Sequence, residues 1–101
     1  MKLTIVAYGQ PSDPAGFDRH YATVHVPLVR AMPHLQAFEY SKGPVVTEGE
    51  APYLIALLRY ASAQDLEAAL SSPEGQAALA DIANFATGGV TVQTIDLVSA
   101  L

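Results

Sequence analysis

Apolar residues follow two rhythms along this chain, and the changes of rhythm predict its elements. Leu3 to Tyr8 is a short, β-rich run closed by the turn residues of Gly9-Gln10-Pro11-Ser12-Asp13-Pro14. The period then becomes helical. Phe17, Tyr21, Val24, Leu28 and Met32 share an arc of roughly 80° at 100° per residue, which predicts a helix ending around Met32-Pro33-His34. From Leu35 to Val46, Phe38 and Tyr40 alternate with Ala37, Glu39 and Ser41, the pattern of a strand with one more exposed face. The stretch Thr47 to Pro52 has the composition of a hairpin loop, and Tyr53 to Tyr60, apolar on both faces, predicts a central strand.

A second helix opens at Ser62, an N-cap with Asp65 three residues on in a variant of the capping box. Leu66, Ala69 and Leu70 form its apolar face. Ser72-Pro73-Glu74 restarts the helix with a cap, a proline at the first position and an acid in the first turn. Leu79, Ile82 and Phe85 or Ala86 continue the buried face to Gly88-Gly89, and Val90 to Val98 reads as a last strand. The order β-α-β-β-α-β is the split pattern of an α+β, ferredoxin-like sandwich, with residues 1–101 forming one domain. One helical layer cannot cover both faces of strands that carry Leu3, Ile5 and Ala7 opposite Val6 and Tyr8. The second face therefore predicts a homodimer.

Composition narrows the function. Half the residues are hydrophobic and 15% are charged, a surplus of apolar surface that fits burial against another subunit. A formal net charge of -5 without any Lys/Arg cluster argues against nucleic acid. There is no cysteine, hence no disulfide or thiolate chemistry. No apolar run approaches 18 residues and the N-terminal apolar run is short for a signal peptide, so neither a membrane span nor export is expected, and the cytoplasm is the default.

The chemistry centres on His25. It falls about 20° beyond the edge of the first helix's apolar stripe, where a pocket could open. Pro27, two residues on, removes a helical hydrogen bond and crowds the Thr23 carbonyl, a break worth ~3 kcal/mol in an ordinary helix. Such local conflicts often sit at functional places. An imidazole there could give and take a proton, or it could be a core-margin histidine bonded to a backbone carbonyl. His20 and His34 lie off the stripe and in a loop, and are expected to be solvated. No histidine or carboxylate spacing suits a metal. Asp81 would face inward to orient His25 or a substrate hydroxyl, or else be a solvated helix aspartate. Tyr21, Phe38, Tyr40, Tyr60 and Phe85 would wall a cavity for a flat apolar ligand, or serve simply as core.

The segments Phe17…His20-Tyr21…His25-Val26-Pro27-Leu28 and Met32-Pro33-His34-Leu35 resemble the signature of EthD-type proteins in the dimeric α+β barrel superfamily. Ser71 to Ala86, with Asp81 one turn before Phe85, is similar to that family's second-helix motif. The resemblance implies two sheets facing each other in a dimeric α+β barrel, with a pocket in each protomer between the sheet and its own helices. The wider superfamily holds cofactor-free isomerases, polyketide cyclases, small monooxygenases and haem-binding members. This chain has no second histidine near Ser72-Pro73, where some cyclases carry one, and no tryptophan, which departs from haem-degrading relatives.

The resulting expectation is a cofactor-independent, metal-free enzyme on a small hydrophobic, oxygenated substrate. His25 would move the proton, with Tyr21, Phe38, Tyr40, Tyr60, Asp81 and Phe85 around the substrate. The alternatives are a non-catalytic ligand-binding or accessory dimer serving an oxygenase pathway, and a small oxygenase that uses O₂ without a metal.

Overall fold

A computed structural model describes residues 1–101. Strand β1 (Lys2–Tyr8) lies between β3 (Leu54–Tyr60) and β4 (Val90–Asp96), and β2 (Ala37–Tyr40) pairs with the other edge of β3. All three pairings are antiparallel. Their register puts Val6, Ala56, Val92 and Tyr40 on one face and Ile5, Leu57, Gln93 and Glu39 on the other. Helices cover the first face. Tyr8, Leu54, Ala56, Leu58 and Tyr60 are buried beneath them, while Ile55 and Leu57 on the reverse face are half-buried.

The sheet corrects the barrel implied by the resemblance. It is an open four-stranded sheet in the order β2-β3-β1-β4. Closure would require its edges to pair, and they are a four-residue β2 and a seven-residue β4 held apart by two intervening strands. β2 is also far shorter than the strand predicted over Leu35 to Val46. Gly43 takes a left-handed φ of 75° and Pro44 has no N–H for a ladder, so pairing stops near Ser41, whose N–H still donates to the Ile55 carbonyl.

The first helical segment is three pieces: α1 (Pro14–His20), a π turn (Tyr21–His25) and α2 (Val26–Arg30). Asp13 caps α1 by accepting from the Gly16 N–H. In the π turn the Val26 N–H reaches back five residues to the Tyr21 carbonyl. That wider turn absorbs Pro27, which sits in the first turn of α2, where its missing N–H matters least. It also rotates the stripe. Tyr21, His25, Val29 and Met32 are buried, whereas Val24, placed on the stripe by the α-helical wheel, is 40% exposed.

The second helical segment divides as its caps predict. α3 (Ala63–Ser71) starts at Ser62, whose Oγ accepts from the Asp65 N–H at 3.1 Å. α4 (Pro73–Asp81) starts at Ser72, which accepts from the Gly75 N–H at 2.9 Å. Gly75 is buried at the joint, and a Cβ there would overlap the Ala69 carbonyl oxygen. A 3-10 turn (Ile82–Asn84) follows. The buried line of the segment runs through Ala78 and Asp81 of α4 to Phe85 after the turn, while the expected core residues Leu70 and Leu79 are 37% and 46% exposed. No helix is long and apolar enough to cross a membrane.

Alanine exceeds glycine as a helix former by about 1 kcal/mol. At Gly75 the overlap with Ala69 should reverse that preference. Gly75→Ala is expected to lower stability by about 1–3 kcal/mol, read from the midpoint of chemical denaturation. An unchanged or raised midpoint would show that the α3–α4 joint can yield.

Candidate active site

Asp81 lies at the end of α4, 6% exposed, and a buried carboxylate requires donors. It has three. His25 Nδ1 donates to Oδ2 at 3.0 Å. His20 Nε2 reaches Oδ1 at 2.8 Å and Oδ2 at 3.1 Å. Asn84 Nδ2, one turn on, donates to Oδ1 at 3.0 Å. Burial pushes the Asp81 carboxyl up, but the hydrogen bonds from Asn84, His20 and His25 outweigh it and hold the group below its ordinary value. Asp81 is therefore an anion that can only accept, so its bond fixes the proton of neutral His25 on Nδ1.

The other nitrogen of His25, Nε2, has no hydrogen-bond partner within the chain, and the residue lines a cavity of about 180 Å³ between the sheet and the helices. Burial is the largest influence on the His25 imidazole and pulls its pKa below the ordinary 6.5, with Asp81 opposing. At neutral pH this ring carries its lone pair on Nε2. Phe85 braces the arrangement from behind, with ring centres 4.7 Å from His25, 5.3 Å from His20 and 5.4 Å from Tyr8.

The cavity wall is apolar in 15 of its 18 residues and includes no lysine or arginine, so it suits an uncharged ligand. Tyr8, Tyr21 and Tyr60 bring the phenol groups. Burial pushes all three phenols above their ordinary value, helped by the Asp81 charge at Tyr8 and by the neighbouring Tyr8 and Tyr40 at Tyr21. They remain neutral O–H donors. Leu70, Leu79, Val92 and Thr94 line the cavity yet are exposed, so they mark its mouth beside β4, whose seven residues no helix covers.

Of the residues singled out in the sequence, His25, Tyr21, Phe38 and Tyr60 stand in the cavity wall. Asp81 and Phe85 stand behind His25. Tyr40 is 46% exposed, its ring 5.1 Å from that of Tyr21. His34 is half-exposed at a left-handed φ of 65°, 3.8 Å from Asp65. His20 differs from its expected solvated state because it is bound to Asp81. Its side chain is 27% exposed, so it connects the carboxylate to the surface. On an α-helical wheel His20 and His25 stand about 140° apart at 100° per residue, too far to share one carboxylate. The π turn removes that separation, and the five-residue spacing of the two histidines ahead of Pro27 was the available signal. Tyr8, at the end of β1, was missed because a strand tyrosine at a turn has no distinguishing pattern.

An open sheet with one helical layer, with an apolar internal pocket and a carboxylate-oriented imidazole at its wall, defines a small ferredoxin-like α+β protein. The chain belongs to the EthD family, whose EthD domain matches residues 9–89. It is 45% identical over 97 residues to an uncharacterized 11.0 kDa protein in the thcB-thcC intergenic region of Rhodococcus erythropolis, covering 94% of this chain and 92% of that one. Among solved structures it is similar to an ethyl tert-butyl ether d (EthD) family protein from Bacillus halodurans C-125. That match has a TM-score of 0.88 and 30% identity, over 97% of this chain and 99% of the other. It also shares its fold with SnoaB, a cofactor-independent oxygenase from Streptomyces nogalater, at a TM-score of 0.68 and 12% identity over 99% and 96% of the two chains.

The buried triad links stability to pH. Unfolded His25 takes its proton near 6.5, folded His25 only at lower pH, so the unfolded state holds more protons as acid is added and becomes favoured. Stability should therefore fall between about pH 7 and pH 5. It should fall again in stronger acid as the depressed Asp81 carboxyl is protonated. In His25→Gln the first of these losses should shrink, a difference visible in melting temperatures across that range.

Proposed function

We propose that this EthD protein is a cofactor-independent enzyme of small-molecule degradation that uses His25 as a general base on a hydrophobic, oxygenated substrate held between sheet and helices. The carrying observation is the unpaired Nε2 of His25 at an apolar cavity wall, with Nδ1–H anchored on Asp81. In this reading Nε2 takes a proton from a C–H beside a carbonyl. The electron pair moves onto the carbonyl oxygen, which accepts a hydrogen bond from a neutral phenol. Asp81 stabilises the imidazolium that forms, and the proton returns to another atom of the same molecule. Isomerisation, cyclisation and lactone rearrangement all fit this scheme without a redox partner. Tyr21 and Phe38 shape the wall, Phe85 and Asp81 position His25, and Tyr40 packs against Tyr21 from outside the wall. The oxygenase alternative rests only on a shared fold.

The test uses a carbon acid rather than an unknown substrate. The uncharged ketone 2-indanone, incubated with the protein in deuterated water, should take up deuterium beside its carbonyl faster than in buffer, as followed by NMR. His25→Gln keeps an N–H for Asp81 but has no base, and should lose ~10²–10⁴-fold of that acceleration while remaining folded near neutral pH. A wild-type protein that binds the ketone without exchanging its protons would instead be the ligand-binding or accessory form of the family.

The reverse face of the sheet carries Ile5, Ala7, Ile55 and Leu57 with no helix over them. We propose that a second copy covers it as a homodimer, since a stable interface is apolar at its centre. Sedimentation at micromolar concentration should give about twice the 10.7 kDa of one chain. Leu57→Asp, which places an unpaired charge in that centre, should yield monomer or aggregate. A well-behaved wild-type monomer would overturn the dimer.

A further inference from the structure

The Tyr60 hydroxyl is the one buried side-chain polar atom with no hydrogen-bond partner in the structure. The residue is 1% exposed and lines the cavity. A buried, unpaired O–H is unfavourable by the full desolvation of the group, and a phenylalanine would fill the same volume without it. The hydroxyl thus has no account within the fold. Its explanation lies in what the cavity holds.

Its position gives that explanation a shape. On β3, Tyr60 is paired with Lys2, four residues beyond Ala56 on the same sheet face, about 13 Å along the strand at 3.3 Å per residue. The His25 end of the cavity lies near the Ala56 row, because Tyr40 pairs with Ala56 and its ring touches Tyr21, which touches His25. Between these two ends the wall is largely apolar, with Val6, Val29, Met32 and Leu58, and its two threonine hydroxyls, Thr4 and Thr94, bond to each other at 3.2 Å. A cavity of 150 Å³ holds one benzene ring, so this one, about 180 Å³, holds one ring with short substituents.

We propose that Tyr60 is a specificity residue for the far end of the ligand. Its O–H donates to an acceptor oxygen on an uncharged, single-ring compound whose other end meets His25. The ligand class is a ring substituted at opposite positions, with a carbonyl or ether oxygen toward Tyr60 and a hydroxyl or acidic C–H toward Nε2. The absence of any cationic side chain in the wall disfavours a carboxylate at either end. This proposal rests on the reading that the cavity is the ligand site, and it assigns Tyr60 to recognition rather than to the proton step.

Two probes of nearly the same shape separate the possibilities. In 4-hydroxyacetophenone a hydroxyl and a carbonyl stand at opposite ends of the ring, and in 4-isopropylphenol the carbonyl is replaced by an apolar group of similar size. Titration calorimetry near neutral pH should show the wild-type protein preferring the ketone by about tenfold, the contribution of one hydrogen bond to an otherwise unpaired buried donor. Tyr60→Phe should abolish that preference by weakening the ketone alone. The variant should also melt at or above the wild-type temperature, because it removes an unpaired polar group and leaves the packing in place. A structural tyrosine would behave oppositely, with earlier melting and an unchanged ratio of affinities, and that result would overturn the assignment. Equal binding of the two probes by the wild-type protein would also overturn it, whatever the variant does. Failure of both probes to bind wild type would overturn it together with the cavity reading. Loss of deuterium exchange in His25→Gln with Tyr60→Phe still selective for the ketone would leave the proton step standing and remove only this role of Tyr60.

Discussion

Much of this molecule follows from one buried carboxylate. Asp81 occupies a position on α4 where helical periodicity calls for a hydrophobic side chain, and no lysine or arginine neutralises it. It is held instead by an amide and two imidazoles. His20 and His25 come from the first helical segment and Asn84 from the turn after α4. The carboxylate thus ties together the two helical segments over the sheet. Losing any one donor would leave charge in a low-dielectric place, which is strongly unfavourable. The same bonds orient His25, so the group that fixes the helix packing also sets which imidazole nitrogen faces the cavity.

The element order was legible because it rests on local chemistry. Ser62 and Ser72 announce their helices by capping, Pro73 and the acid after it reinforce the second start, and the strands β1 and β3 carry their apolar residues in strand-length runs. His25 was legible as a candidate from its place near the stripe. The π turn was not, because the wheel used to find an amphipathic helix assumes 3.6 residues per turn. One additional residue in a single turn moved Val24 out, His25 and Val29 in, and put His20 beside Asp81. Pro27 marked the conflict without saying which way the backbone would resolve it. Leu70 and Leu79 were misplaced for another reason. They belong to the apolar face, but they stand at the cavity mouth beside β4, where nothing further covers them.

The sheet illustrates how a family resemblance and a single chain answer different questions. EthD membership agrees with the overall fold, which a solved member of the family shares. It does not make the chain close on itself, and its four strands leave β2 and β4 as edges. Exposed edges invite pairing with other strands unless they are short or polar. β2 is short, and β4 carries Thr91, Gln93 and Thr94 among its apolar residues.

The π turn also lets this segment carry one residue more than an ordinary helix needs to present the same faces. A substitution within Tyr21–His25 changes one group and leaves the others facing as they do. An in-frame loss of one codon there would restore ordinary helical winding, with the two histidines then four residues and about 40° apart and everything after them facing much as before. Both imidazoles would still share the face of the carboxylate, whereas Pro27 would meet an interior carbonyl. Conversely, a gain of one codon in an ordinary helix is a short route to such a turn, since the added residue is taken up locally and the flanking side chains keep their faces. A relative one residue shorter through this segment can therefore keep both its histidines and its pocket.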